Sequence, residues 1–215
     1  MKTMMDAKMK GMVMAAMSAL CLVLGIMGAM GSTWLVPEEE MEGMDAGAGL
    51  TSSWSEMDLA DMGASSESDC EDFANNMAPG EAESECDGTV ITMTMSFSDI
   101  CDAEGPDYED SCDMATGGMI GTIGMWAGIV CALLITLTMV LPMAGVDAMD
   151  AVPEMATKVA TWGAGALMLV GMLGWYMMLP DGGDMTLGMS GWMAGAAMSM
   201  GLGSALIGQF IEADE

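Results

Sequence analysis

Four stretches of the chain contain no aspartate, glutamate, lysine or arginine: 11–37, 114–146, 159–180 and 185–211. The shortest has 22 residues. At about 1.5 Å per residue that is roughly 33 Å of helix, enough to cross the hydrocarbon core of a bilayer. Each stretch is rich in Met, Leu, Ile, Val, Ala and Gly. A backbone in lipid must satisfy its polar groups internally, which makes a helix the expected form. Four such helices in 215 residues leave too little amphipathic surface to bury them in a soluble core.

The charges lie between these runs. The chain has 32 acidic residues, four lysines, no arginine and no histidine, for a net charge of −28, yet 53% of it is hydrophobic. A disordered acidic chain would not be so apolar. Nucleic-acid binding needs a basic footprint, and none exists here. Histidine-dependent catalysis, metal binding and proton shuttling are excluded outright.

Lysines set the orientation. Lys2, Lys8 and Lys10 precede the first run, and Lys158 opens the third. With four crossings these positions share one side, so the positive-inside rule predicts cytoplasmic termini. The expected order is a cytoplasmic tail 1–10, helix 11–33, an acidic extracellular loop 34–116, and helix 117–141. A cytoplasmic loop 142–156, helix 157–179, a short outer turn 180–185, helix 186–210 and a cytoplasmic tail 211–215 follow. The first run exceeds the 7–15-residue apolar core of a signal peptide, so a retained helix is expected. The localisation implied is a multi-pass protein of the cell membrane.

From Trp34 to Asp113 there are 23 acidic residues and no basic one. Residues 38–87 read as a solvated acidic segment. Residues 88–97 differ: they are β-branched and alternate, with Ile91, Met93, Met95 and Phe97 on one face and Thr92, Thr94 and Ser96 on the other. This predicts a strand. A lone hairpin is marginal, so a small antiparallel sheet is expected, with Ser32–Val36 as a candidate partner. Cys70, Cys86, Cys101 and Cys112 all fall in this loop. Three connectivities are possible. Cys70–Cys86 with Cys101–Cys112 closes short loops and is preferred. Cys21 and Cys131 fall within apolar runs and read as small core residues.

No cofactor is expected. No CxxC pair marks a zinc site. The 32 methionines are spread over the whole chain, including Met41, Met44, Met57, Met62, Met93 and Met95, rather than gathered as a copper(I) site. Asp99, Asp102, Glu104, Asp107, Glu109, Asp110 and Asp113 lack EF-hand spacing, so weak, diffuse binding of calcium or other cations is expected.

The apolar runs hold no Asp, Glu, Lys, Arg or His, which speaks against a pump or coupled transporter. Small residues recur at close-packing spacing: Gly25 and Ala29; Gly117, Gly121, Gly124 and Gly128; Gly171 and Gly174; Gly191 and Gly195. Such spacing lets helix backbones approach, which predicts a four-helix bundle able to associate with other membrane proteins or with itself. Trp34, Trp162, Trp175 and Tyr176 suit the membrane interface, while Trp126 and Trp192 are expected between helices.

Local sequence carries a resemblance. Leu24-Gly25-Ile26-Met27-Gly28 followed by Ser32-Thr33-Trp34, and Leu187-Gly188-Met189-Ser190-Gly191-Trp192, resemble the first and fourth helices of the claudin-like superfamily. That superfamily includes claudins, peripheral myelin proteins and calcium-channel gamma subunits. Gly49-Leu50 and Trp54 echo its Gly-Leu-Trp, here interrupted, and Cys70 and Cys86 stand for its cysteine pair at wider spacing. The resemblance implies a helical bundle capped by an outer sheet, and a role in lateral assembly, adhesion or accompanying another membrane protein. It does not extend to a paracellular pore, because the loop motif is interrupted and a basic residue typical of that loop is absent. The expected function is non-enzymatic, structural or accessory. A small cation-permeation or cation-handling protein is the alternative.

Overall fold

The structure is a computed structural model of the chain. It describes residues 5–38, 43–77, 83–104, 109–143, 145, 152–180, 185–211 and 213–214. These are mostly helical, with one small antiparallel sheet. In order they form β1 (Met5–Asp6), α1 (Ala7–Met30), β2 (Leu35–Pro37), β3 (Met44–Ala48), β4 (Ser52–Asp58) and α2 (Glu67–Met77). Then come β5 (Glu83–Asp87), β6 (Val90–Ser96), α3 (Phe97–Glu104), α4 (Glu109–Met143), α5 (Glu154–Tyr176), β7 (Met185–Leu187), α6 (Met189–Phe210) and β8 (Ala213–Asp214).

Three helices are long and apolar enough to cross a membrane: Lys8–Met30, Cys112–Pro142 and Glu154–Tyr176. They point to a membrane protein. The helix α6 forms over the fourth run and has 22 residues, but it is not among these three. The helix α4 begins eight residues earlier than residue 117 and so takes in the end of the expected loop.

The chain divides into two compact units. One comprises Met1–Met30, Ile120–Gly174 and Trp192–Glu215. Its helices turn large side chains outward: Val23, Ile123, Val130, Val170, Leu173 and Leu206 are all exposed. Small residues and a few large ones fill the inside, among them Ala132, Ala164, Ala197, Met125 and Met168. At one end β1 and β8 pair in parallel, Met5 with Ala213 and Asp6 with Asp214.

The other unit comprises Gly31–Met119 and Trp175–Gly191. It holds a six-stranded sheet in the order β5-β6-β4-β3-β2-β7. Its longest ladder aligns β4 with β6, from Ser52↔Ser96 to Asp58↔Val90. Across three strands, Met57, Ile91 and Cys86 stand in one row. That row packs with Leu59, Cys70, Phe73 and Ala74 into a small core beneath α2. A short 3-10 turn, Leu59–Met62, ends at Gly63, whose φ of +97° is a left-handed conformation that glycine adopts without strain.

Several expectations are corrected. Residues 38–87 are not simply a solvated segment: those described carry β3, β4, α2 and β5. Their few apolar residues, Leu59, Cys70, Phe73 and Ala74, supply a core that the acidic composition masks. The segment after α1 does not pair with β6. It forms β2 and pairs with β3 and β7, because β4 and β5 already occupy both edges of β6. Phe97 leaves the strand and opens α3. The expected outer turn gives up Met185 to β7, which extends the sheet, while residues 181–184 lie outside the described residues.

Candidate functional site

No catalytic constellation was expected, so the candidate features are two: the glycine-lined helix contacts and the disulfide-tied sheet. The helix contacts lie within one unit. A methyl group built on Gly128 lies 2.5 Å from Met168 Cγ and 2.8 Å from the Ala164 carbonyl oxygen. One on Gly124 meets the Gly171 backbone, 2.8 Å from its nitrogen, and one on Gly171 would lie 2.8 Å from Gly124 Cα and 3.1 Å from the Gly121 carbonyl oxygen. Gly174 faces Ile120, and Gly25 faces Met168 and Ile129. At Gly124, Gly128 and Gly171 a side chain would meet the backbone of the facing helix, the packing logic of small residues in lipid, whereas at Gly25 and Gly174 it would meet side-chain atoms.

Spacing alone did not separate all these positions. Gly195 has only the Met172 methyl nearby, at 4.0 Å, so a side chain fits there. Ala29 is half-buried. Gly165 and Gly201, on α5 and α6, were missed: a methyl on Gly201 would lie 2.8 Å from the Gly165 nitrogen, and one on Gly165 would lie 2.5 Å from the Leu202 nitrogen. Also unforeseen, Ser18 and Ser204 share a buried hydrogen bond of 3.2 Å between α1 and α6. Cys21 is buried and Cys131 half-buried, and neither is in a disulfide.

The tryptophans sort differently from expectation. Trp126 and Trp192 are exposed, at 45% and 66%, rather than packed between helices. On an exposed helix face their rings suit lipid contact. Trp34 and Trp175 are buried and pack against each other. Trp162 and Tyr176 are exposed.

Within the sheet unit, the four resemblance positions gather around the turn Ser32–Trp34. The Trp34 amide donates to the Ala48 carbonyl at 2.8 Å, and the Trp54 indole donates to the Ser32 carbonyl at 3.1 Å. Gly49 donates to Ser52 and closes the β3–β4 turn, where a methyl would lie 3.5 Å from Ser32 Cα. Leu50 is buried, and its carbonyl lies against Gly118, a close approach that leaves no room for a side chain on that glycine. Gly117, one residue earlier, meets Met178 and the Trp175 carbonyl, and Gly191 meets Leu187 and the Trp34 carbonyl. The Gly188 amide donates to the Trp34 carbonyl and the Ser190 amide to the Thr33 carbonyl, so the start of α6 is stitched to the segment after α1.

Two disulfides tie this unit together. Cys70–Cys86 joins α2 to the edge strand β5, and Cys101–Cys112 joins α3 to the start of α4. Asp58 caps the 3-10 turn. It accepts from the Ala60 amide at 2.9 Å and from the Thr89 hydroxyl at 2.8 Å, and these bonds hold its carboxyl below the usual value. Asp69 is lowered likewise by the amide and hydroxyl of Ser65, then by Ser66. The edge strand β5 carries exposed Glu83, Glu85 and Asp87, charges that discourage pairing with another strand.

Among the described residues no group of three or more Cys, Asp or Glu stands together as a metal site. Asp107, in the acidic run weighed for calcium, lies outside the described residues, as does Met41. No protein-family model, no curated protein and no solved structure matches the chain.

Proposed function

We propose that the chain is a non-enzymatic integral membrane protein that assembles with other membrane proteins, or with itself, as an accessory or adhesive component. In this reading α1, α4, α5 and α6 cross the bilayer as a four-helix bundle, with cytoplasmic termini and an acidic, disulfide-bonded outer region. The claudin-like resemblance is part of the same proposal.

One observation carries it: the helices are small inside and large and apolar outside. Gly124 meets Gly171 and Gly165 meets Gly201, while Val130, Val170 and Leu206 face outward. Water would oppose that distribution, whereas lipid favours it. The helix α6 has 22 residues, about 33 Å, which suffices for a crossing. The Lys10 ammonium bonds the carbonyls of Gly208 and Ile211 at the end of α6, which agrees with a shared side for both termini. The helix interiors offer no charge for an ion to follow, which favours assembly over permeation.

Photo-crosslinking from Val170 and Trp192 in native membranes tests the reading. A recurrent neighbour is expected. Recovery of monomers alone, or cation flux through liposomes that vanishes when the outer carboxylates are neutralised, would overturn it.

A further inference from the structure

At the end of the helical unit where α6 stops and α5 begins, a cavity of about 440 Å³ opens between α1, α5 and α6. Met14 and Ala205 form its apolar side. Thr157, Thr161, Lys158 and Gln209 bring the polar groups, and Trp162 also lines it. We infer that this groove holds an anionic phospholipid, with its phosphate at Lys158 and the Thr157 hydroxyl and an acyl chain along Met14 and Ala205. The inference rests on the membrane reading above.

The argument is one of charge and polarity. The chain has only four cations. Lys158 lines the groove, and Lys10, one helical turn before Met14, anchors to Gly208, which also lines it. In a protein of net charge −28, a cavity with a lysine in its wall is a site of unusual local charge. The polar groups are already ordered. The Trp162 indole donates to Gln209 Oε1 at 3.1 Å, and the Thr161 hydroxyl donates to the Thr157 carbonyl at 2.7 Å. Lys158 also meets Glu154 at 3.6 Å, but both side chains are largely exposed, and such a pair contributes little. A phosphate can therefore replace that partner. An ammonium and a hydroxyl beside an apolar wall match a lipid headgroup and its chain, and basic pockets between helices are a recognised form of headgroup site. A free phosphate ion would leave the Met14 and Ala205 wall unused.

Native mass spectrometry of the full chain tests this, with phosphatidylglycerol and phosphatidylcholine offered at equal concentration and inorganic phosphate offered alone. Preferential retention of phosphatidylglycerol is expected. It should fall about fivefold in Lys158→Gln, the loss of one near-surface cation, and fall less in Lys8→Gln. A brominated phosphatidylglycerol should quench fluorescence, with a clear loss of quenching in Trp162→Phe, which keeps the apolar wall. Equal retention of the two lipids, or indifference to Lys158→Gln, would overturn the inference. So would binding of inorganic phosphate that depends on Lys158 and needs no lipid. Alkaline carbonate extraction separates the two readings. A chain that stays with the membrane but does not discriminate lipids sinks only the groove, whereas an extracted chain sinks the membrane reading itself.

Discussion

Trp34 and Trp175 meet edge to face, with ring centroids 4.9 Å apart and planes at 68°. Both are shielded from solvent, with 0% and 2% of their surface exposed. Trp34 lies four residues after the end of α1, and Trp175 is the next-to-last residue of α5. The pair thus joins parts of the sheet unit that lie 141 residues apart by subtraction of the two positions. Truncating either to Ala should cost about 3–5 kcal/mol. A double-mutant cycle, read by denaturant unfolding in detergent, should show coupling of about 1 kcal/mol. Strict additivity would mean that the rings act only through separate burial.

Helix contact positions should separate from glycines that merely share their spacing. Gly124→Ala forces a methyl against Gly171, and overpacking of this kind costs about 1–3 kcal/mol. Gly195→Ala meets open space and should be neutral or slightly stabilising, since alanine is the better helix former. Resistance to unfolding by sodium dodecyl sulfate gives the comparison. Equal effects at both sites would contradict the packing described here.

The bridge Cys70–Cys86 closes a 16-residue separation. Constraint of an unfolded loop of that size contributes about 3 kcal/mol. The paired variant Cys70→Ser, Cys86→Ser should therefore unfold α2 and β5 at markedly lower denaturant. Hydrogen exchange should rise there first and leave α5 protected.

Asp58 gives the sheet unit a specific acid sensitivity. Its folded pKa lies below its unfolded value, because the Ala60 amide and the Thr89 hydroxyl bond the charged form. That stabilisation is present above the unfolded pKa and is lost as pH falls through the folded one. Asp58→Ala should lower the melting temperature at neutral pH, and the gap from the parent should narrow on acidification. A gap that stays constant with pH would assign the loss to something other than the carboxylate's charge.

Salt should act in the opposite sense to acid-sensitive hydrogen bonding. The stretch from Trp34 to Asp113 carries 23 carboxylates and no basic residue. Screening shortens from about 10 Å at 0.1 M to about 3 Å at 1 M salt, which relieves such repulsion. The melting temperature should rise with sodium chloride over that range. An unchanged value would mean that the folded sheet already spaces its charges beyond effective repulsion.

The sequence by itself determined the helices and one strand. Charge-free runs long enough to cross lipid mark α1, α4, α5 and α6, and the alternation of residues 88–97 marks β6. Loop length favoured the same two cysteine pairs that the structure joins. These are local or short-range properties, carried by composition, period and spacing.

The tertiary structure decided what each local signal meets. Whether a glycine is a contact depends on the helix opposite, so Gly124 and Gly195 look alike in sequence and differ in surroundings. Trp34 and Trp192 both sit near helix ends, yet one is buried by Trp175 and the other is exposed. β2 pairs with β3 and β7 because β6 has no free edge, a choice that only the whole sheet can make. The acidic stretch hides its core for the same physical reason. Leu59, Cys70, Ala74 and Ile91 are few and scattered, and they form an apolar cluster only once α2 lies on the sheet.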